Sequence, residues 1–284
     1  MAHNLIDKLR CKNYLKSIDW LECSLGTLGG GNHFIEVDED ENGVKYLVIH
    51  SGSRNLGKQV ADYYQDLAVK EYRSVSNKEI VDMLKAQGRE KEIASTLAKL
   101  KEEKPNLPKD LCYLQGKSMQ DYLYDMQICT EFADTNRELI ANNIIKNLFK
   151  SAIFEHFTTR HNYISRDGYI RKGAISAQKG ERVLIPLNMR DGCIVGIGKG
   201  NPNWNFSAPH GAGRIMSRSE AKQKINLNDF KETMAGIYST TINNGTIDEA
   251  PFAYKPAQEI IDLVKETIEI EKIIKPIYNY KASE

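Results

Sequence analysis

The sequence lacks the features that mark membrane-spanning, secreted or disulfide-stabilised proteins. Among its 284 residues no apolar run is long enough to cross a bilayer, and the beginning of the chain has no continuous apolar stretch of the signal-peptide type. The five cysteines are scattered without C-x-x-C spacing, which argues against a disulfide framework and a thiolate zinc site. We therefore expect a cytoplasmic protein without a membrane partner.

The chain also lacks a net charge that would indicate a polyanionic partner. It has 39 Lys and Arg against 38 Asp and Glu, for a formal charge of +1. The distribution is uneven, because residues 160–224 contain twelve basic and four acidic side chains, a local excess of eight positive charges. Such an excess attracts phosphates and anionic ligands. A solvated surface would give the same pattern, so charge alone leaves both interpretations open.

Short β-type runs occur on both sides of a long helical section. Phe34–Val37 and Tyr46–Ile49 are predicted strands around an Asn-Gly turn. Helical spacing of apolar residues follows, with a capping box at Ser76 to Glu79, a stop at Pro105 and Pro108, and a further helix from near Ser118 towards Lys150. We expect these helices to form a structural insertion over about residues 70–155.

Glycines and β-type residues return after the helical section. The predicted strands are Ala174–Ala177, Val183–Pro186 and Cys193–Ile197. The tail is predicted to be helical from about Pro256 to Ile273 and to close with an extended Pro276–Lys281 segment. The predicted fold class is α+β, with residues 1–284 forming one mixed α/β domain that has central β-sheets and the helical insertion.

Four of the six histidines lie in short polar or glycine-rich segments. His33 is in Gly-Asn-His-Phe, His50 in His-Ser-Gly-Ser-Arg, His161 in His-Asn-Tyr and His210 in Pro-His-Gly-Ala-Gly-Arg. Neutral imidazole binds divalent transition metals and can also act as a nucleophile. A lone histidine is usually an ordinary polar group, but four of them at strand ends or glycine turns favour a metal centre.

Glycine-rich segments and arginines accompany these histidines. Residues 25–31 and 196–202 would let the backbone approach a ligand and present N–H groups to phosphate oxygens. Neither has the spacing of a P-loop or a dinucleotide-binding loop, and tight turns would explain both equally well. Arg54 and Arg214 each follow a histidine by four residues, and a guanidinium suits phosphate binding. These residues predict a histidine-ligated metal beside a phosphate pocket, without identifying the reaction.

Several segments together resemble the RtcB family of RNA ligases. The matching stretches are Leu25–Val37 (LGTLGGGNHFIEV), His50–Arg54 (HSGSR), His161 with Asn162, Arg171–Ala174 (RKGA), Gly198–Pro202 (GKGNP), His210–Arg218 (HGAGRIMSR), Asp248–Lys255 (DEAPFAYK) and Lys275–Lys281 (KPIYNYK). They extend over nearly the whole chain, and the order of GNHF, HSGSR and HGAGR is highly specific.

The resemblance implies an enzyme that joins RNA ends. The substrates would be an RNA end with a 2′,3′-cyclic phosphate or 3′-phosphate and a second end with a 5′-hydroxyl. The cofactors would be GTP and one or two Mn²⁺ ions. A histidine would take GMP from GTP and pass it to the RNA 3′-phosphate, and the 5′-hydroxyl would then displace GMP. Such covalent catalysis divides one difficult displacement into easier ones.

The resemblance also implies roles for individual residues. His210 would be the guanylylated nucleophile, and Arg54 and Arg214 would position phosphates. The histidine ligands of the manganese site would be His33, His50 and His161. The residues expected to contact the guanine nucleotide are Asn32, Phe34, Ile35, Glu36, Asn162, Pro186, Leu187, Asn188, Met189, Cys193, Ala212, Gly213 and Lys281.

The sequence departs from the family pattern in two places. The family carries an upstream Asp-x-x-Cys-Gly-Met motif whose Asp and Cys bind manganese, and no Asp-x-x-Cys occurs in this chain. We therefore expect an N-terminally short member whose three histidines hold one Mn²⁺ ion, whereas a second ion would need ligands from that motif. Leu187, Asn188, Arg190 and Asp191 stand where many members have Gly-Ser and small residues, so we also expect an altered nucleotide pocket.

Two other functions remain open at this point. The chain could be an inactive protein that binds guanine nucleotides or RNA ends, or a metal-dependent phosphoesterase that opens cyclic phosphates without ligation. The resemblance also leaves open whether an activating protein partner is required. Formation of a guanylylated protein would distinguish the ligase from both alternatives.

Overall fold

A computed structural model of the chain describes residues 1–74, 77–103, 107–148 and 155–282. The fold class is α+β, as predicted, with helices and two antiparallel sheets. No helix among the described residues is both long and apolar enough to span a membrane. The capping residue Ser76, the predicted stop at Pro105 and the helix end at Lys150 lie outside the described residues.

The helices and strands have the following bounds. The α-helices are α1 (Ala2–Ile6), α2 (Ile18–Cys23), α3 (Arg54–Ser74), α4 (Asn77–Ala86), α5 (Ile93–Glu103), α6 (Gly116–Leu148), α7 (Arg218–Lys224), α8 (Leu227–Thr233) and α9 (Ala257–Leu263). The strands are β1 (Phe34–Glu39), β2 (Lys45–His50), β3 (His161–Ile164), β4 (Ile170–Ser176), β5 (Arg182–Asn188), β6 (Gly192–Gly198), β7 (Ser207–Pro209) and β8 (Ile268–Lys281).

The chain divides into two compact units. The first consists of residues 1–23 and 54–131, and the second of residues 24–53 and 132–284. The first unit is helical, and its buried Asp125 accepts hydrogen bonds from the backbone N–H groups of Arg10 and Cys11 and from the hydroxyl of Tyr64. These bonds hold the beginning of the chain to α3 and α6, and they satisfy a carboxylate that is inaccessible to water.

The second unit contains both sheets. Five strands pair in the order β2-β1-β8-β6-β5, and three more pair in the order β3-β4-β7; all of these pairs are antiparallel. Strand β5 illustrates the local pattern, because Val183, Ile185 and Leu187 alternate with less buried residues and enter the core. Pro186 is tolerated there because β5 is an edge strand and the register shifts next to it.

One core cluster joins the two sheets. It includes Ile175 of β4, Ala208 of β7, Ile185 of β5 and Ile194 of β6, and each of these side chains is almost completely buried. Burial of apolar surface contributes about 25 cal/mol per Å², so the two sheets stabilise each other through this contact. The strand ends that carry the histidines are therefore attached to a packed core.

The strands predicted from the sequence are present, and Pro276–Lys281 is extended as predicted, but the helix predicted from about Pro256 to Ile273 was too long. Helix α9 ends at Leu263, a short 3₁₀ turn follows, and Ile268–Lys281 forms a central strand between β1 and β6. Ile260, Val264 and Ile268 recur at helical spacing and all enter one core, which favours a helix locally. Pairing along both edges of β8 satisfies its backbone N–H and C=O groups and overrides that preference.

Candidate functional site

All four singled-out histidines lie at strand ends. His33 directly precedes β1, His50 ends β2, His161 begins β3 and His210 directly follows β7. Strand pairing brings the first two histidines together, because Phe34, the residue after His33, pairs with His50. On the second sheet, neighbouring residues of β4 pair with His161 on one side and with Pro209 on the other.

The four imidazole rings form a continuous row. Ring centroids lie 5.8 Å apart for His33 and His50, 5.4 Å for His50 and His161, and 4.7 Å for His161 and His210. Phe34 stacks on His50 at 5.3 Å. The row includes the predicted nucleophile and the three predicted metal ligands, so the residues that the motifs nominated separately lie side by side.

Hydrogen bonds orient His33 within the row. Its Nδ1 lies 2.8 Å from the carbonyl oxygen of Leu28, which also accepts a hydrogen bond from the hydroxyl of Ser51. A carbonyl oxygen only accepts, so Nδ1 is the donor of this contact. A Cβ atom on Gly52 would stand 3.9 Å from Nε2 of His33, in ordinary van der Waals contact.

Asn136 of α6 holds the loops that carry His33 and His50. Its side-chain oxygen accepts hydrogen bonds from the N–H groups of Gly26 and Thr27. Its amide nitrogen contacts the oxygen atoms of Thr27, Ser51 and Gly52. Asn136 is completely buried, so these contacts replace all of its hydration. One long helix thus fixes both glycine-containing loops of the site.

Two imidazoles of the row, His50 and His161, favour the neutral form. Burial lowers the pKa of His50 well below its usual value, and the neighbouring histidines lower it further. Burial and then His210 lower the pKa of His161 to about 4. Among the described residues, Nδ1 of His161 is buried without a hydrogen-bond partner. Neutral imidazole is the form that binds a divalent transition metal, and the role of His33, His50 and His161 as its ligands stays a prediction.

A cavity of about 310 Å³ lies beside this row. His50 and His210 line it, and the other sequence-predicted residues on its wall are Asn32, Phe34, Glu36, Pro186, Leu187, Asn188, Met189, Ala212, Gly213, Arg214 and Lys281. Most of the predicted nucleotide contacts therefore surround one space, whose volume lies at the small end of the range for ligand pockets.

Three cations and one carboxylate form part of the cavity wall. Arg214, Arg218 and Lys281 all contact the carboxylate of Glu249, at 3.3, 2.8 and 2.8 Å. Burial opposes ionisation of Glu249, but Lys281 and other partners outweigh it and lower the pKa of this carboxyl. The wall therefore keeps a positive excess suited to phosphate groups.

A second group that could hold a cation lies behind the cavity. Ligand atoms of Glu36, Asp38 and Cys193 all lie within 4.8 Å of one another, and all three side chains are buried. Burial and then Asp38 raise the pKa of Glu36 to about 8, and burial raises the pKa of Asp38 to about 7. Asn279 donates to Glu36, and the charge of Lys281 acts on it. The charge of Lys281 also acts on His50, so it opposes a cation both here and in the histidine row.

Three of the residues that depart from the family pattern, Asn188, Arg190 and Asp191, lie in one hairpin turn at the cavity rim. The side-chain oxygen of Asn188 accepts hydrogen bonds from the backbone N–H groups of Arg190 and Asp191, both at 3.0 Å. Its amide donates to Asp191, which is also paired with Arg190. These polar residues therefore have a local structural role, because they close the turn between β5 and β6.

The remaining predicted site residues lie elsewhere. Ile35 points to the opposite face of β1 from Phe34 and Glu36, as strand alternation requires, and it does not line the cavity. Asn162 has a positive φ of 59° and accepts a hydrogen bond from the N–H of Gly173. A Cβ atom on Gly173 would stand 3.7 Å from the ring of His210. Cys193 is buried behind the cavity.

Arg54 belongs to the first unit of the chain. It begins α3, has a positive φ of 57°, and burial lowers the pKa of its guanidinium. Its expected contact with phosphate stays a prediction, as do the roles of the other site residues.

The sequence reasoning missed four residues of the cavity wall. Gly211, Arg218, Glu249 and Tyr254 line the cavity, yet no role was predicted for them. Each lies in one of the segments that carry the family resemblance, HGAGRIMSR or DEAPFAYK. That location was the available signal, whereas their contacts with one another depend on the fold.

Pairing reduces the excess of basic residues over 160–224. Arg160 contacts Asp134, Arg182 lies 3.6 Å from Glu155, and Arg218 lies 2.6 Å from Asp248. These acidic partners all come from outside the basic segment. The local excess is therefore smaller in the fold than in the sequence.

Comparison with known proteins agrees with the resemblance seen in the sequence. A family model described as tRNA-splicing ligase RtcB matches residues 12–282. The RNA-splicing ligase RtcB of Escherichia coli K12 is 30% identical over 265 aligned residues, covering 87% of this chain and 58% of that protein.

Two archaeal proteins named tRNA-splicing ligase RtcB are similarly related. The one from Aeropyrum pernix is 30% identical over 83% of this chain and 54% of its own length. The one from Archaeoglobus fulgidus is 29% identical over 84% of this chain and 55% of its own length. The chain thus spans somewhat more than half the length of these relatives.

Proposed function

The chain belongs to the RtcB family, and from this membership we propose that it is an RNA ligase that uses GTP and Mn²⁺. It would join RNA ends that bear a 2′,3′-cyclic phosphate or a 3′-phosphate to ends that bear a 5′-hydroxyl. His210 would carry the guanylyl group between the two half-reactions. The relatives' names support ligation of RNA, and the cofactors and the chemistry of the ends are part of the proposal.

The observation that carries the proposal is the row of four imidazoles beside a cavity with cations in its wall. A nucleophile that attacks a phosphorus needs a lone pair, a nearby site for phosphate charge and space for the nucleotide. His210 has the predicted metal ligand His161 at 4.7 Å between ring centroids, and it shares the cavity wall with Arg214 and Arg218.

The proposed reaction consists of three displacements at phosphorus. A nitrogen of His210 bonds to the α-phosphorus of GTP, and the bond to pyrophosphate breaks. A 3′-phosphate oxygen of the RNA then bonds to the guanylyl phosphorus and releases the imidazole. The 5′-hydroxyl oxygen finally bonds to the RNA phosphorus, loses its proton and expels GMP. A cyclic phosphate is first opened by water to the 3′-phosphate.

The protein groups have distinct tasks in this scheme. A ring nitrogen of His210 would make the attack on the α-phosphorus. Arg214 and Arg218 would bind phosphate oxygens, and Lys281 and Glu36 would bind the guanine base. A Mn²⁺ ion held by His33, His50 and His161 would supply neutralisation of phosphate charge when bound.

Intact-protein mass spectrometry tests the proposal directly. Purified protein is incubated with GTP and Mn²⁺, and we expect a mass gain of one guanylyl group that is absent in His210→Ala. His156→Ala is the matched control, because His156 is an exposed histidine outside the row. Addition of RNA with a 3′-phosphate and a 5′-hydroxyl end should remove the adduct and yield joined RNA.

Each other outcome supports a different function. Nucleotide binding without an adduct would contradict the ligase proposal and favour a guanine-nucleotide or RNA-end binding protein. Opening of a cyclic phosphate without an adduct would favour a phosphoesterase. An adduct that persists in His210→Ala would move the nucleophile to another residue.

A further inference from the structure

We propose that Glu249 is the positioning residue of the cavity. Arg214 and Arg218 form the phosphate side of the cavity, Lys281 forms its base side, and the Glu249 carboxylate holds all three in one arrangement. The assignment of these two sides rests on the proposed function. The contacts of Glu249 do not, because they are geometric features of the second unit.

The two carboxylate oxygens of Glu249 serve different groups. Oε1 accepts from Nη1 of Arg214 at 3.3 Å and from Nη1 of Arg218 at 2.8 Å. Oε2 accepts from the hydroxyl of Tyr254 at 2.6 Å and from Nζ of Lys281 at 2.8 Å. One carboxylate therefore contacts four side chains that all line the cavity.

Burial makes these contacts strong and specific. Glu249 and Lys281 are 2% and 5% exposed, so little water competes for their charges. Removing one partner of a buried charge pair leaves the other without compensation, which is far more costly than losing a surface pair. The carboxylate also separates three positive charges that would otherwise repel one another across the wall.

The four partners depend on Glu249 to different degrees. Arg214 is also held by the carbonyl oxygens of Met216 and Asp248, at 3.0 and 2.6 Å. Arg218 also pairs with the Asp248 carboxylate at 2.6 Å. Lys281 has the carbonyl oxygen of Asn32 at 3.1 Å as its other hydrogen-bond acceptor.

Loss of Glu249 should therefore displace Lys281 most. Glu36 lines the same cavity and already interacts with the charge of Lys281, so it offers that ammonium an alternative partner. A lysine that moves towards Glu36 would occupy space intended for the base. We therefore expect weaker nucleotide binding, with a smaller effect on the rate at saturating nucleotide.

The first test compares Glu249→Gln with Glu249→Asp and the control Glu259→Gln. Glu259 is an exposed glutamate of α9 that lies 3.9 Å from Lys255. Adduct formation is measured over a range of GTP concentrations, and GTP binding is measured separately by calorimetry without metal. We expect Glu249→Gln to raise the half-saturating GTP concentration about tenfold, as loss of a charged hydrogen bond would.

The remaining expectations separate positioning from folding. Glu249→Asp should recover part of the affinity, because it keeps the charge with a shorter reach, and Glu259→Gln should behave as the unmodified chain. In a double-variant cycle, Glu249→Gln should weaken binding little further once Lys281 is replaced by Gln. Fully additive effects would overturn the proposal.

A second test needs no nucleotide, so it separates this proposal from the proposed function. Acylation of lysines by an N-hydroxysuccinimide ester is quantified by peptide mass spectrometry. Glu249→Gln should raise the labelling of Lys281 several-fold and leave that of exposed Lys224 unchanged. If Glu249→Gln does not fold, Glu249→Asp serves in the same assay. Unchanged labelling of Lys281 would refute the positioning role, even if the protein forms the guanylyl adduct.

Discussion

Asp38 is completely buried, and neither of its carboxylate oxygens has a hydrogen-bond partner among the described residues. It lies in β1 on the same face as Glu36, behind the cavity. A buried carboxylate without partners strongly favours its protonated form, and burial accordingly raises the pKa of Asp38 from 3.8 to about 7. At high pH, Asp38 therefore lowers the free energy of unfolding relative to an apolar or neutral residue at this position.

The replacement Asp38→Asn should change how stability depends on pH. Between the unfolded pKa of 3.8 and the folded pKa of about 7, the folded chain keeps a proton that the unfolded chain has lost. The free energy of unfolding therefore falls by up to about 1.4 kcal/mol per pH unit as pH rises through this interval. Asp38→Asn removes this contribution.

Urea unfolding at several pH values between 4 and 8 measures this difference. The two chains should diverge as pH rises, with Asp38→Asn relatively more stable at the upper end. Parallel curves for both chains would show that the carboxyl ionises normally in the folded state.

At the scale of elements, the pairing of β6 with β8 depends on glycine. A Cβ atom on Gly192 would lie 2.0 Å from the carbonyl oxygen of Ile274, and its φ of +77° disfavours other residues. Close approach of the two backbones at this point lets Cys193 pair with Ile274 and fixes the register of the central strand. The hairpin turn at the cavity rim ends at the same glycine.

Gly192→Ala should therefore destabilise the protein by more than about 2 kcal/mol, because both the backbone conformation and the strand contact are lost. Gly168→Ala is the matched control, since Gly168 has a φ of +88° but no atom within 4 Å of an added Cβ. It should cost only about 1 kcal/mol, the cost of the left-handed conformation. Chemical unfolding of both variants gives the comparison, and equal losses would assign the whole effect to φ.

At the scale of the whole molecule, ligand binding should raise stability. An ion that binds only the folded protein at a hundred times its dissociation constant adds about 2.7 kcal/mol. We therefore expect Mn²⁺ to raise the melting temperature by about 5 °C and a chelator to reverse the change.

The effect of Mn²⁺ should disappear in His161→Ala and persist in His156→Ala. His161 belongs to the imidazole row, and its Nδ1 has no hydrogen-bond partner in the part of the chain that the structure describes, whereas His156 is exposed. Thermal unfolding with and without Mn²⁺ gives this result independently of any catalytic activity. A shift of equal size in both variants would place the ion outside the histidine row.

The sequence by itself determined the strands around the glycine turns and the identity of the four histidines. Glycine, asparagine and β-branched residues act through the backbone conformations of their own neighbourhood, so their patterns can be interpreted without the fold. The tail shows the limit, because Ile260, Val264 and Ile268 are compatible with a helix until β1 and β6 pair with the chain that follows Thr267.

Only the tertiary structure decided which side chains share one wall. Glu36 and Asn279 form a hydrogen bond although they are 243 positions apart in the chain, and Arg214 and Glu249 do so although they are 35 positions apart. Neither contact has a local signature, because each arises from strand registers and loop paths that depend on the packing of the whole second unit. Burial has the same origin. It raises the pKa of Asp38 and strengthens the charge contacts of Glu249, although both are ordinary carboxylates in the sequence.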